Sequence, residues 1–346
     1  MRVQELGALL DLTRANKVPR AHHERTAHET VLDWLDDGLL RVTPATVDES
    51  APALVLSAGI HGNETAPMEL LDRLLRAIAE DKLIPAGPIL IVLGNPEAIR
   101  HGTRYVEVDL NRQFNATHQG PLAEHRRAKV IEQTVEAFYS DHEQHRRRYH
   151  IDMHTAIRAS HLIKFALVPG TPEHPRDSQM LELLACTDIE AVVEQSRLGI
   201  TFSNFTYGQL NAHAVTLELG KARPFGQNQN VDVSALERTL TTLIETGWLD
   251  TDMPRRPLRC FGVSFEILKQ SEAFVLHVND DQPNFVEYAK GACLAEDGDT
   301  RWVTGSERNW LIFPNPNVAL GLRAGIVLHE RPAFTSGDTF GHSQTT

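Results

Sequence analysis

Two compact apolar runs, PALVLSAGI (52–60) and PILIVLGNP (88–96), bracket a stretch (67–80) in which Leu70, Leu71, Leu74, Leu75 and Ile78 recur at helical spacing. A run that is apolar at every position reads as a strand buried on both faces. Strand, helix, strand in this order is the crossover unit of an α/β layer. The pattern continues with a polar helix (122–139), a short strand YHIDMH (149–154), a strand within 161–169, a helix over 178–185, the strand HAVTLELG (213–220) and a helix over 233–246. The first fifty residues read as an amphipathic helix (3–13) followed by short connections.

A proline-bearing joint, TDMPRRP (251–257), marks a domain boundary. Beyond it, short apolar segments separated by Gly, Pro, Asn and Asp turns read as a smaller all-β domain. The expected organisation is an α/β domain over residues 1–250, a β domain over 251–334 and a flexible tail over 335–346, which lacks the apolar content to pack. A chain of 346 residues with 41% hydrophobic content suits two domains at about 150 residues each.

Charge and cysteine usage narrow the function. Thirty-four basic against 46 acidic residues leave a net charge of -12, the wrong sign for tracking nucleic acid. No apolar run approaches the roughly 20 residues of a spanning helix, and Glu5 and Asp11 break the first one, so a soluble, unexported protein is expected. Cys186, Cys260 and Cys293 are far apart and never paired as CxxC, which points to a reducing cytoplasm and indicates neither a disulfide scaffold nor a thiolate zinc site. No phosphate-binding glycine loop and no GxSxG elbow occurs in the required context. The charge run HRRRYH (145–150) reads as a solvated connection.

Histidine is the anomaly. Of 17, only His61 has a glutamate three positions on, Glu64, in AGIHGNETAP directly after the first buried strand. The pair is either a loop histidine beside a solvated glutamate or two metal ligands placed where α/β sheets build their sites. A catalytic zinc takes three protein ligands and leaves a fourth position for water. His154 in YHIDMH is the best third candidate, with Asp152 and His150 on its face by the strand period. Glu218 in TLELGKARPFGQN ends a buried strand, where it is either a salt-bridge partner of Lys221 or Arg223 or a general base. RYVEVDLNRQF brings Asp109, Asn111 and Arg112 together downstream of Arg104.

Taken in order, HGNE, DLNR, DMHTAIR and LELGKARPFGQN resemble the succinylglutamate desuccinylase and aspartoacylase family of the zinc carboxypeptidase clan. The resemblance spans residues 58–228 and implies a carboxypeptidase-like mixed sheet flanked by helices; from its small size, the C-terminal β domain is expected to shape or cap the substrate pocket. The resemblance makes His61, Glu64 and His154 the ligands of one zinc ion per subunit and Glu218 the general base and acid. Asp109 becomes the carboxylate that sets a ligand histidine's tautomer, and Arg104 the cation that stabilises the oxyanion. Asn111 and Arg112 hold a substrate carboxylate.

HTAIR with Lys164, and GKARPFGQN, resemble the desuccinylase branch. They make Arg158, Lys164, Lys221 and Arg223 candidates for the remaining carboxylates, a positive site on a negative protein. The implied reaction is hydrolysis of the amide of N-succinyl-L-glutamate to succinate and L-glutamate, the last step of arginine degradation through succinylated intermediates. The implied partner is a small anionic substrate, with no nucleic acid and no membrane, and the oligomeric state is left open. The alternatives are an aspartoacylase-like or broader N-acyl amino acid hydrolase, and a zinc-binding protein without turnover. A His2Glu set suits zinc without excluding cobalt or manganese.

Overall fold

The computed structural model describes residues 4–115, 120–145, 147–170, 177–249, 252–279 and 281–335. From residue 336 on, the expected tail lies outside the described residues. A 3-10 turn and helix α1 (Leu9–Arg14) precede three strands, β1 (His23–Arg25), β2 (Val31–Asp36) and β3 (Leu39–Thr43). The expected crossover follows as β4 (Ala53–Ala58), α2 (Thr65–Ala79) and β5 (Ile89–Leu93). Next come α3 (Pro96–His101), α4 (Ala123–Asp141), β6 (Arg148–Ala156), β7 (Phe165–Val168), α5 (Ser178–Ala185), β8 (Ala191–Glu194), α6 (Phe202–Leu210), β9 (His213–Lys221) and α7 (Ser234–Thr246). After the joint the regular elements among the described residues are all strands: β10 (Leu258–Leu268), β11 (Val275–Leu276), β12 (Val286–Ala289), β13 (Cys293–Asp297), β14 (Thr300–Val303), β15 (Arg308–Ile312) and β16 (Arg323–Phe334).

Among the described residues one mixed sheet of thirteen strands runs β1-β2-β3-β5-β4-β6-β9-β7-β8-β10-β16-β15-β12, and β11-β13-β14 form a second, small sheet. The centre, β5-β4-β6-β9, is parallel. Strand β7 runs antiparallel to β9. The first strand after the joint, β10, pairs in parallel with β8 from Arg259↔Ala191 to Gly262↔Glu194, so the all-β part continues the α/β sheet.

Alternation along the three central strands places the site. Leu54, Leu56 and Ala58 of β4, Tyr149, Ile151 and Met153 of β6, and Val215, Leu217 and Leu219 of β9 all enter one core, shared with the leucines of α2, α5 and α7. At about 1.5–3 kcal/mol for each large apolar side chain buried, this face fixes the register of the whole centre. The other face is apolar at the start of the strands, where Val55 and Ala53 meet α4 and α6. Toward the carboxyl ends it turns polar, with Ser57, then His150, Asp152 and His154, then Thr216 and Glu218, every one of them buried except half-buried Thr216. The register pairs Ser57 with Asp152, Asp152 with Thr216, and His154 with Glu218.

The turn that leaves β4 depends on two glycines. Gly59 sits at φ +67, and Gly62 lies against the backbone of α3, where an added Cβ would stand 2.1 Å from the Ala98 carbonyl carbon and 2.3 Å from the Ile99 nitrogen. Backbone on both sides leaves nothing flexible to give way. Gly62→Ala is expected to destabilise the fold by about 1–3 kcal/mol and to weaken metal uptake, because the displaced turn carries His61 and Glu64. Denaturant unfolding and metal content check this; a variant matching the parent in both would contradict the packing argument.

Candidate active site

His61, Glu64 and His154 are buried and meet from two strand ends. Glu64 stands at the N-cap of α2, close to the positive end of that helix. Its Oε1 lies 2.8 Å from His61 Nδ1 and its Oε2 lies 3.0 Å from His154 Nδ1. Arg104 Nη1 donates to Oε1 at 2.9 Å, and the Thr155 backbone N–H donates to Oε2 at 3.0 Å. One donor atom from each of the three residues falls within 4.8 Å of the others. Burial alone would raise the Glu64 pKa, but the charges of His61 and His154 outweigh it and hold the carboxylate well below its usual range.

The outward ring nitrogens are held too. His61 Nε2 lies 3.0 Å from Asp109 Oδ1, and His154 Nε2 lies 2.9 Å from Asp152 Oδ2. Each imidazole thus sets Nε2 on an outer carboxylate and turns Nδ1 inward, the arrangement that metal-ligating histidines use. Despite burial, Asp109 and Asp152 are lowered by the histidines they hold, and His154 is raised well above its usual range by Asp152 and Glu64. Behind Asp152, Ser57 Oγ donates to Asp152 Oδ1 at 2.6 Å and lies 2.9 Å from His150 Nε2. A hydroxyl has one proton, so His150 donates from Nε2 to Ser57, and its Nδ1 lies 2.7 Å from Thr206 Oγ1, which also lies 3.1 Å from the Ser203 carbonyl. Burial pushes the His150 pKa down to about 4, which keeps the ring neutral in this network.

Glu218 faces this cluster from the next strand. Among the described residues no ion pair joins it to Lys221 or Arg223, and its buried Oε2 has no hydrogen-bond partner. Burial, reinforced by the negative charge of Glu64, pushes its pKa up to about 7, against the opposing charges of His154, Arg104 and His61. A carboxyl balanced near neutrality beside a convergent His-Glu-His set is suited to taking and returning a proton. The donor set, two imidazole Nδ1 atoms and a carboxylate, fits a borderline divalent metal, and the orphaned Glu218 oxygen fits a proton-accepting partner next to it.

The cationic candidates divide. Arg104 is half-buried between Glu64 and Asp109, with its Nη2 3.9 Å from Asp109 Oδ2. Arg112 is deeply set; burial lowers its pKa, and it feels Asp109 and Arg104 together with Arg323 and Glu266 of the C-terminal strands. The Asn111 side-chain oxygen accepts from the Phe202 N–H at 3.0 Å, tying the start of α6 to the DLNR turn. Arg158 donates to the Gln282 carbonyl at 3.4 Å. Lys221 and Arg223 are exposed at the end of β9. The loop after them is pinned to the helix that Glu64 caps, with Thr65 Oγ1 donating to the Arg223 carbonyl and accepting from Asn228 Nδ2, each at 2.7 Å. Lys164 is not brought to the group: its ammonium is held by Asp188 and the Asp232 carbonyl. It precedes Phe165, the register partner of Glu218, and so projects to the opposite face of the sheet.

Several contributors escaped the sequence reading. Asp152 was placed on the right face without a role. Glu124, buried in the first turn of α4, accepts from the backbone N–H groups of Val106, Glu107 and Val108 and from Asn95 Nδ2, clamping the loop that carries Arg104 and Asp109. Its only sequence signal was an acid in a helix's first turn. The run HRRRYH is not simply solvated, because His145 and His150 are buried, with His145 Nδ1 2.6 Å from the Ala51 carbonyl. The C-terminal strands meet the site loop directly: the His161 N–H donates to the Asn284 carbonyl at 3.0 Å and the Asn284 N–H to the Ala159 carbonyl at 2.8 Å.

Comparison with known proteins identifies the family of the chain. Residues 50–244 match the succinylglutamate desuccinylase/aspartoacylase catalytic domain, and residues 256–331 match the AstE/AspA barrel-sandwich hybrid domain. The chain is 50% identical over 326 residues to the succinylglutamate desuccinylase of Pseudomonas paraeruginosa, covering 93% of this chain and 98% of that protein. Among solved structures it resembles the succinylglutamate desuccinylase of Vibrio parahaemolyticus with a TM-score of 0.86 at 29% identity, covering 93% of this chain and 94% of that one. The enzyme of the same name from Chromobacterium violaceum gives 0.80 at 34% identity, covering 94% and 98%. The chain belongs to the succinylglutamate desuccinylase/aspartoacylase family.

Proposed function

We propose that this protein hydrolyses the amide bond of N-succinyl-L-glutamate to succinate and L-glutamate, with one zinc ion held by His61, Glu64 and His154. The observation that carries the reading is the buried, unpartnered Glu218 oxygen facing the His-Glu-His set, on a carboxyl whose pKa sits near 7. When bound there, the metal supplies a Lewis acid that acidifies water and polarises a carbonyl. The chain does the rest. Glu218 takes the proton of the attacking water and returns it to the departing glutamate nitrogen. Arg104 contributes positive charge where the carbonyl oxygen becomes negative. Asp109 and Asp152 keep both ligand histidines in the Nε2–H tautomer.

Asn111 and Arg112, with Arg158, Lys221 and Arg223, receive the three carboxylates of the substrate; Lys164, committed to Asp188, supports the sheet. The junction of Asn284 with the loop 159–161 supports a capping role for residues 251–334, with residues 1–250 as the catalytic domain. The three free cysteines suit a reducing, cytoplasmic compartment, and the similarity to named succinylglutamate desuccinylases supports a place in arginine degradation; no helix among the described residues is long and apolar enough to cross a membrane.

Purified protein should release succinate and glutamate from N-succinyl-L-glutamate, lose that activity on chelation, regain it with zinc, and leave N-acetyl-L-aspartate largely untouched. Turnover confined to the acetyl substrate would move the reading to an aspartoacylase-like hydrolase. Turnover of neither by folded, zinc-loaded protein would move it to a binding protein.

Glu218→Gln should keep the metal and lose about 10²–10⁴ in kcat. As a base, Glu218 works ionised, so kcat/KM rises with pH as it deprotonates. A divalent cation nearby favours the ionised form, which places this acid limb below the metal-free value of about 7. A pH profile of parent and variant checks both statements; an acid limb unchanged in the residual activity of Glu218→Gln would remove the base assignment.

A further inference from the structure

The small sheet of β11, β13 and β14 carries the one other group among the described residues whose donor atoms converge as a metal site would require: His277, Cys293 and Glu296, with their ligand atoms within 4.8 Å. We propose that these three residues form a second metal site, for a borderline-soft divalent cation such as zinc, on the C-terminal β domain. Local structure argues that the convergence is built. Cys293 and Glu296 are three apart on β13, a spacing that regular alternation would send to opposite faces. A bulge between Cys293 and Ala295 resets the alternation, and Leu294 and Ala295 are both buried in succession. Re-aiming a side chain is what bulges do beside functional sites.

His277 joins from the end of β11, where its backbone N–H donates to the Leu294 carbonyl at 2.8 Å and so sets it over the bulge. Its Nε2 lies 3.6 Å from Glu296 Oε2. The Cys293 sulfur lies 3.7 Å from Glu296 Oε1.

An ion pair alone would need only Glu296 and its cross-strand partner Arg301. Arg301 Nε donates to Oε1 at 2.7 Å and its guanidinium also reaches the Cys293 side chain, while Oε2 is turned toward the imidazole; a bound cation would displace the guanidinium from the sulfur and leave it as the carboxylate's outer hydrogen-bond partner. Thiolate, imidazole and carboxylate together select zinc-like ions over magnesium or calcium. Ligands of one tetrahedral zinc lie about 3.5 Å apart given bond lengths of roughly 2.0–2.3 Å. The remaining closure of about 1 Å is within reach of His277 and Glu296, whose side chains are 41% and 35% exposed. The absence of a CxxC spacing hid the site, because its ligands are assembled by strand pairing.

Sulfur makes the site separable from the catalytic one, whose ligands include none. Fully chelated protein, reduced and then titrated with cobalt(II), should take up a second equivalent that brings a near-ultraviolet thiolate-to-cobalt charge-transfer band. Cys293→Ser should lose the band and that equivalent while turnover of N-succinyl-L-glutamate is unchanged; His277→Ala, at an exposed position, should lose the second equivalent independently. Uptake of a single equivalent without a charge-transfer band overturns the proposal. So does a band that survives Cys293→Ser, which would assign it to Cys186 or Cys260.

Discussion

A buried carboxylate has to be answered by charge, and Glu64 is the one on which this structure turns. Taking an ion out of water costs several kcal/mol unless partners replace the lost solvation. Glu64 is 2% exposed, and its two oxygens are met by His61, His154, Arg104 and the Thr155 amide. Those partners come from the turn after β4, the end of β6 and the loop that follows α3. The sheet register, the glycine-dependent turn and the clamp by Glu124 are the means by which these segments are held together. The same arrangement that keeps the carboxylate ionised aims two imidazole Nδ1 atoms at one point, so the charge balance of the metal-free protein and the ligand geometry for a cation are one feature.

From that point the polar groups extend in two directions. Inward, Asp152, Ser57, His150 and Thr206 form a continuous hydrogen-bonded chain, as buried polar groups require if they are not to cost stability. Outward, the groups are deliberately less satisfied. Glu218 keeps an unpaired oxygen, Lys221 and Arg223 are exposed, and the field at Arg112 includes charges from the C-terminal strands. The inner half holds the His154 ring in place, and the outer half leaves a carboxylate oxygen unpaired and two cations exposed.

The parts legible in the sequence were those set by period and by position at strand ends. Unbroken apolar runs located β4 and β5, alternation placed His150, Asp152 and His154 on one face, and ordered motifs singled out Glu218 and the three residues whose donor atoms converge, His61, Glu64 and His154. What escaped was assembled by long-range pairing. The strands β1 to β3 are short and only partly apolar, and they pair as an edge antiparallel unit whose stability comes from β5. Helix α3 was announced by Asn95 at its cap, Pro96 at its start and Gly102 at its left-handed end, yet its six residues are too few for periodicity to show. Lys164 had a suitable charge in a suitable segment, but strand alternation sends it to the far face. The C-terminal segment reads as a smaller all-β domain, and its link to the main sheet is not visible in the sequence, because the pairing of β8 with β10 bridges residues separated by the joint.

The central claim is that Asp109 and Asp152, by holding Nε2 of the two histidines, direct both Nδ1 atoms and the Glu64 carboxylate at a single cation. Anomalous diffraction at the zinc edge from crystals of the zinc-loaded protein tests it most directly. The account predicts a peak bonded to His61 Nδ1, His154 Nδ1 and a Glu64 oxygen at about 2.0–2.2 Å, with both Nε2 atoms still on their carboxylates. A metal bound through Nε2 of either histidine, or a zinc-loaded protein with no peak at Glu64, would contradict it.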